Sequence, residues 1–201
     1  MSPRSDSGLF FLDTAMTQKF LVLGIGNVLF ADEGIGVHLT HYLQQKYRFE
    51  GPHRLDFVDG GTLAHALIPM IAQYDQLLVI DTVHSTQGAA GSVYLFDFDQ
   101  VPHHIDFQGS AHEVEMLQTL NMMEMVGDRP PTHILGVIPE VLEAMSFELS
   151  ESIQRAVPLM EQAFCDHLTA RGFTLTQKAN PDIVALARQS CDQETRYEAA
   201  V

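Results

Sequence analysis

Five short apolar runs recur along the chain, at residues 20–24 (FLVLG), 55–59 (LDFVD), 76–81 (QLLVID), 92–97 (SVYLFD) and 133–138 (HILGVI). Runs of this length, rich in Val, Ile, Leu and Phe and bounded by polar or glycine-containing segments, predict buried β-strands. Between them the pattern changes to helical spacing, at about residues 34–47, 113–125 and 152–171. The last is the clearest: Ile153, Val157, Met160, Phe164 and Leu168 share one stripe, and Gly172 stands where a helix ends. Thr62 is expected to cap a further helix reaching about residue 72. Parallel strands need a crossover of about a dozen residues, and the segment before residue 92 is short and glycine-containing, so that strand is expected to be antiparallel. Strands alternating with helices predict an α/β domain. It is a three-layer sandwich with a mainly parallel, twisted five-stranded sheet, one antiparallel strand, and helices on both faces.

Outside this alternation the pattern fades. Residues 1–17 read as a disordered leader, residues 18–172 as a single α/β domain, and residues 173–201 as a C-terminal tail interrupted by Pro181. The weak helical pattern over residues 182–188 is assigned no packing. The run Leu9 to Leu12 is broken by Asp13, so no signal-peptide core is expected, and no stretch reaches the roughly 20 apolar residues of a membrane span. Cys165 and Cys191 are too few for a disulfide framework. A cytoplasmic protein, a monomer, is the expectation. The 11 basic and 26 acidic residues give a net charge of −15, and no Lys/Arg cluster exists to release counterions from phosphates, so a nucleic-acid partner is excluded.

The charge matters more where it is concentrated. In open α/β sheets ligands collect beyond the carboxyl ends of the strands. The first strand runs into a glycine-rich loop carrying Asp32 and Glu33, the second ends at Asp59, and the third ends at Asp81. Such acids either cap helix N-termini or converge on a cation that relieves their repulsion. His112, just before a predicted helix, offers an imidazole suited to a borderline metal. Other chemistries fail on single residues. A dinucleotide fingerprint needs a glycine where Leu29 stands, no Gly-Lys-Ser/Thr supports a P-loop, and no Gly-x-Ser-x-Gly elbow occurs. Hydrolysis here would have to be metal-assisted.

Five segments, in order, resemble those of the nickel-iron hydrogenase maturation endopeptidases. They are LVLGIGNVLFADEGIGV (21–37), FVDGGT (57–62), LVID (78–81), SAH (110–112) and LGVIPE (135–140). The resemblance implies an endopeptidase that trims the C-terminal extension of a nickel-loaded hydrogenase large-subunit precursor, with nickel supplied by the substrate. It implies that Glu33, Asp81 and His112 bind the metal. Asp59 stands where the family has another acid and is assigned the catalytic, general-base role. The competing readings are a non-catalytic nickel-site chaperone for hydrogenase assembly and a phosphate-binding enzyme, the latter opposed by the acidic edge.

Overall fold

The computed structural model describes residues 16–106, 111–142 and 148–189. In chain order the elements are β1 (Lys19–Ile25), a 3-10 turn (Ala31–Gly34), α1 (Ile35–Lys46), β2 (Tyr47–Glu50) and β3 (Arg54–Gly61). A second 3-10 turn (Ala64–Leu67) runs into α2 (Ile68–Ile71), followed by β4 (Gln76–Thr82), β5 (His84–Ser85), β6 (Val93–Asp97) and β7 (Ile105–Asp106). Then come α3 (Ala111–Val126), β8 (Thr132–Val137), α4 (Glu151–Thr169) and β9 (Thr174–Gln177). The main sheet has the order β3-β1-β4-β8-β6. Its pairs are parallel except β6 with β8, the antiparallel strand anticipated from the short connection.

The central strands β1, β4 and β8 bury both faces, which is why their runs read as continuous rather than alternating. One face, with Val22, Leu78 and Ile80, packs against α1 and α4 through Leu39, Leu43, Ile153, Met160 and Phe164. The other, with Leu21, Leu23, Leu77 and Val79, packs against α2 and α3 through Ile71, Leu120 and Met123. Ser150 caps α4 by accepting the Ile153 N–H at 3.2 Å. Pro158 lies within that helix on its exposed side, where a carbonyl left without its N–H partner costs least. The helix stops as expected: Gly172 takes φ 86°, and the Phe173 N–H returns to the Leu168 carbonyl.

Two features differ from the pattern-based expectation. Thr62 caps no helix. The segment is a 3-10 turn and one α-helical turn, with Leu63 in the N-cap position and no side-chain cap bond, and Pro69 stands at the helix start. Past Gly172 the chain adds β9, antiparallel to β2, and Ile183, Leu186 and Ala187 pack against the α1/α4 core. The predicted leader falls, up to residue 15, outside the described residues, as does Cys191. No helix among the described residues is long and apolar enough to cross a membrane.

A polar cluster ties α4 to the end of α1. Glu161 accepts from Lys46 Nζ at 2.7 Å, from Tyr42 Oη at 3.1 Å, and from the Tyr47 hydroxyl. Lys46 and Glu161 side chains are each only 13% exposed, so burial and hydrogen bonding hold the Tyr47 hydroxyl well above its usual range. Three donors converge on one carboxylate, and hydrogen bonds to charged groups are worth about 1.5–3 kcal/mol each when one partner is deleted. Glu161→Gln is expected to lose about 2 kcal/mol in urea denaturation. A change below about 0.5 kcal/mol would mean that water replaces the cluster at no loss.

Candidate active site

β1 ends at Ile25 and the chain turns at Gly26, with φ 148°. A Cβ there would stand 1.9 Å from the Glu33 carbonyl oxygen, so glycine is what lets the acidic turn close over the strand end. The turn is built locally. Asn27 Oδ1 accepts the Leu29 N–H at 3.0 Å, and the Asn27 carbonyl accepts the Phe30 N–H at 3.1 Å. Ala31 then adopts φ 45°, the one positive value of a non-glycine residue among those described, which is strain held at the site's edge. Glu33 follows in the 3-10 turn and is 8% exposed.

Asp81 lies near the end of β4, is 4% exposed, and accepts the Thr82 N–H on Oδ1 at 2.7 Å. Side chains alternate along a strand, so Asp81 points with Leu77 and Val79 toward the face covered by α2 and α3. Asp59 pairs in register with Gly24, which pairs with Ile80. It shares the face of Leu55 and Phe57, toward α1. The strand ends thus place both acids at one edge of the sheet but on opposite faces, a separation that order along the chain does not reveal. Just beyond Asp59 the register shifts by one residue, since Gly24 pairs with Asp59 but Ile25 pairs with Gly61. This bulge opens the end of β3.

Asp59 looks into a polar cleft of about 270 Å³, walled by residues 26–29, Val37, Gly61 and Thr62. Its Oδ1 accepts the Gly61 N–H at 3.0 Å, and its Oδ2 lies 3.6 Å from His41 Nε2 on α1. The carboxylate is 44% exposed, so it is held on one side and open to a ligand on the other. His41 is a neighbour that the motif reading missed; only its place one helical turn after Val37 could have signalled it. His112 falls in the first turn of α3, and its side chain lies outside the described residues. Among the described residues no three His, Cys, Asp or Glu side chains are grouped to hold an ion.

Asp32 turns the other way from what a metal-binding acid would do. It is fully buried, with Oδ2 accepting the N–H groups of Glu140 and Val141, each at 2.9 Å, and Oδ1 accepting that of Ser150 at 2.7 Å. Of the two adjacent acids, Asp32 is therefore committed to backbone donors.

A family profile described as hydrogenase maturation protease matches residues 37–167. The chain belongs to the hydrogenase maturation protease family. Among its relatives, protein HydD of Wolinella succinogenes is 51% identical over 142 residues, covering 70% of this chain and 89% of that protein. The hydrogenase 2 maturation protease of Escherichia coli is 32% identical over 146 residues, covering 72% and 87%. The solved hydrogenase-maturating endopeptidase HybD of E. coli superposes with a TM-score of 0.70 at 27% identity, covering 81% of this chain and 99% of that one. Family and fold together make the chain a peptidase. Its acidic strand ends and cleft lie where an open α/β sheet carries its chemistry.

Proposed function

We propose that the protein acts in the cytoplasm, where it removes the C-terminal extension of a hydrogenase large-subunit precursor once that precursor carries nickel. The reading is carried furthest by two nearly sealed carboxylates at strand ends, Glu33 after β1 and Asp81 on β4, together with the cleft at the end of β3 into which Asp59 opens. Carboxylate oxygens joined by an imidazole nitrogen suit a borderline divalent cation. Glu33, Asp81 and His112 are the ligands this chain would offer to the precursor's nickel. Bound there, the metal supplies Lewis-acid activation of the scissile carbonyl or of water. The chain's own groups do the rest. The glycine-lined cleft receives the extended peptide, and Asp59, steadied by the Gly61 N–H, takes the proton of the attacking water. Cleavage then acts as a checkpoint, because an empty precursor lacks the element that completes the site.

The test is cleavage of a purified large-subunit precursor, nickel-loaded or nickel-free, followed by intact mass. Wild type is expected to shorten only the loaded form. His112→Ala should leave it whole, and Asp59→Asn should slow the cut by about 10²–10⁴-fold, the usual contribution of a general base. Wild type that binds the loaded precursor without cutting it would replace proteolysis with a chaperone role. Unimpaired cutting by His112→Ala would remove that residue from the metal site.

A further inference from the structure

Asp32 is spent on backbone donors from a distant part of the chain, and its position in sequence gives that a consequence. The 3-10 turn Ala31–Gly34 has no side-chain cap bond of its own. Among its ties are the Glu33 N–H to the Phe30 carbonyl at 3.0 Å and the Ile35 N–H to the Asp32 carbonyl. The turn begins on a left-handed alanine. A strained backbone persists only where its surroundings over-determine it. Here the surroundings are the segment leaving β8. The Asp32 carboxylate takes three of its N–H groups, from Glu140, Val141 and Ser150, and the Asp32 N–H donates to the Val141 carbonyl at 3.3 Å.

That segment is itself anchored beside the other acid. β8 pairs with β4, with Asp81 opposite Gly136 and Thr82 opposite Val137, and the Val83 N–H continues the ladder to the Val137 carbonyl. At the next residue, Ile138 exchanges hydrogen bonds with Gly91 and Ser92. Ser150, the third donor, is the N-cap of α4. Glu140 is tied down as well, since bonding to Ser152 at the start of α4 lowers its carboxyl below the usual range. The Glu33 turn is thereby bolted to the strand that flanks Asp81 and to the helix that follows it.

We infer that Asp32 is a positioning residue, whose buried carboxylate holds the Glu33 turn and the Asp81 strand end in one rigid frame. The inference rests on the proposed role of Glu33 and Asp81 and adds the residue that sets their separation. A carboxylate receiving several charge-assisted bonds is short-range and directional, so this frame tolerates little drift. Asn at position 32 keeps the shape but turns an NH₂ group toward N–H donors, breaking at least one bond and removing the charge from the rest.

The experiment compares wild type, Asp32→Asn and Met160→Ala, the last being a core truncation on α4 that weakens the fold away from the turn. Two readouts are taken well below the melting temperature of the weakest variant. Amide hydrogen exchange over residues 30–36 is expected to quicken at least about tenfold in Asp32→Asn and to stay near wild type in Met160→Ala. Cleavage of the nickel-loaded precursor is expected to fall at least about a hundredfold in kcat for Asp32→Asn, with Met160→Ala within a few-fold of wild type. The inference is overturned if exchange across the turn is unchanged in Asp32→Asn, if that variant cuts normally despite faster exchange, or if Met160→Ala loses as much. Should wild type cut no precursor, the proteolytic reading fails, and the exchange comparison alone still decides whether Asp32 holds the turn.

Discussion

Gly36→Ala is expected to destabilise the protein by about 3 kcal/mol or more, although the position is inside a helix where alanine is ordinarily the better residue. Intrinsic propensity alone favours alanine over glycine by about 1 kcal/mol. Packing opposes it. A Cβ on Gly36 would stand 2.1 Å from the Ile25 carbonyl oxygen and 2.2 Å from that of Ile80. Both obstacles are main-chain atoms of neighbouring strands, so no rotamer change relieves them. The contact is reciprocal, because a Cβ on Gly24 would meet the Gly36 carbonyl oxygen at 2.4 Å. The first turn of α1 thus rests directly on the ends of β1 and β4, and overpacking such a seat costs about 1–3 kcal/mol even where side chains can yield.

The same clash has a functional side. Ile25 precedes the loop that leads to Glu33, and Ile80 precedes Asp81. Lifting α1 from these two carbonyls moves the acidic turn relative to the strand end, so any folded fraction of Gly36→Ala is expected to cut precursor far more slowly than wild type. Urea denaturation and cleavage assays check the two halves. Gly127→Ala is the control for glycine loss without a clash, since its φ of 79° strains alanine but a Cβ there meets nothing within 4 Å. A Gly36→Ala protein as stable as wild type would show that α1 is not seated in this way.

The sheet was legible because each of its strands is a short apolar run, and in the central strands β1, β4 and β8 burial on both faces leaves no other use for such a run. The edges of α1, α3 and α4 followed from helical spacing for the same reason. What stayed illegible depends on partners far away in sequence. The strands Tyr47–Glu50 and Thr174–Gln177 pair only with one another, and neither four-residue segment carries a pattern that stands out from a polar loop. At the site, strand ends located Asp59 and Asp81, but the face each one takes depends on register and on a bulge after Gly24. Those are properties of pairing rather than of either strand. The doublet Asp32 and Glu33 posed a harder problem: two adjacent acids look alike in sequence, and only the fold shows that the first faces the N–H groups of residues 140, 141 and 150.

Acidification is expected to remove about 4 kcal/mol of stability between pH 7 and pH 5, through histidines that play no part in the proposed chemistry. Burial lowers His38 from 6.5 to about 4, with His41 adding repulsion. Burial likewise lowers His167 to about 3, helped by Arg171 and His133. The geometry explains why. His38 is 1% exposed with Nδ1 unpartnered, and the His167 ring packs edge-on against His133 at 4.7 Å while Arg171 sits 3.3 Å from His133 Nε2. His133 is lowered too, by burial and Arg171, with Asp97 opposing. In each case the folded protein holds the neutral ring and the unfolded chain takes up the proton near pH 6.5. Stability is therefore intact above that value and falls as pH drops below it, levelling only near the folded values. At pH 5 a histidine kept neutral by the fold contributes a loss of about 2 kcal/mol, so His38 and His167 together give about 4. That is a large share of the roughly 5–15 kcal/mol that holds a domain together. Urea denaturation at pH 7, 6 and 5 measures the slope, and His167→Leu should remove about half of it whatever its effect at pH 7. Equal midpoints at pH 7 and 5 in wild type, or an unchanged slope in the variant, would mean that these rings are protonated in the folded state and that the interior around α4 admits water.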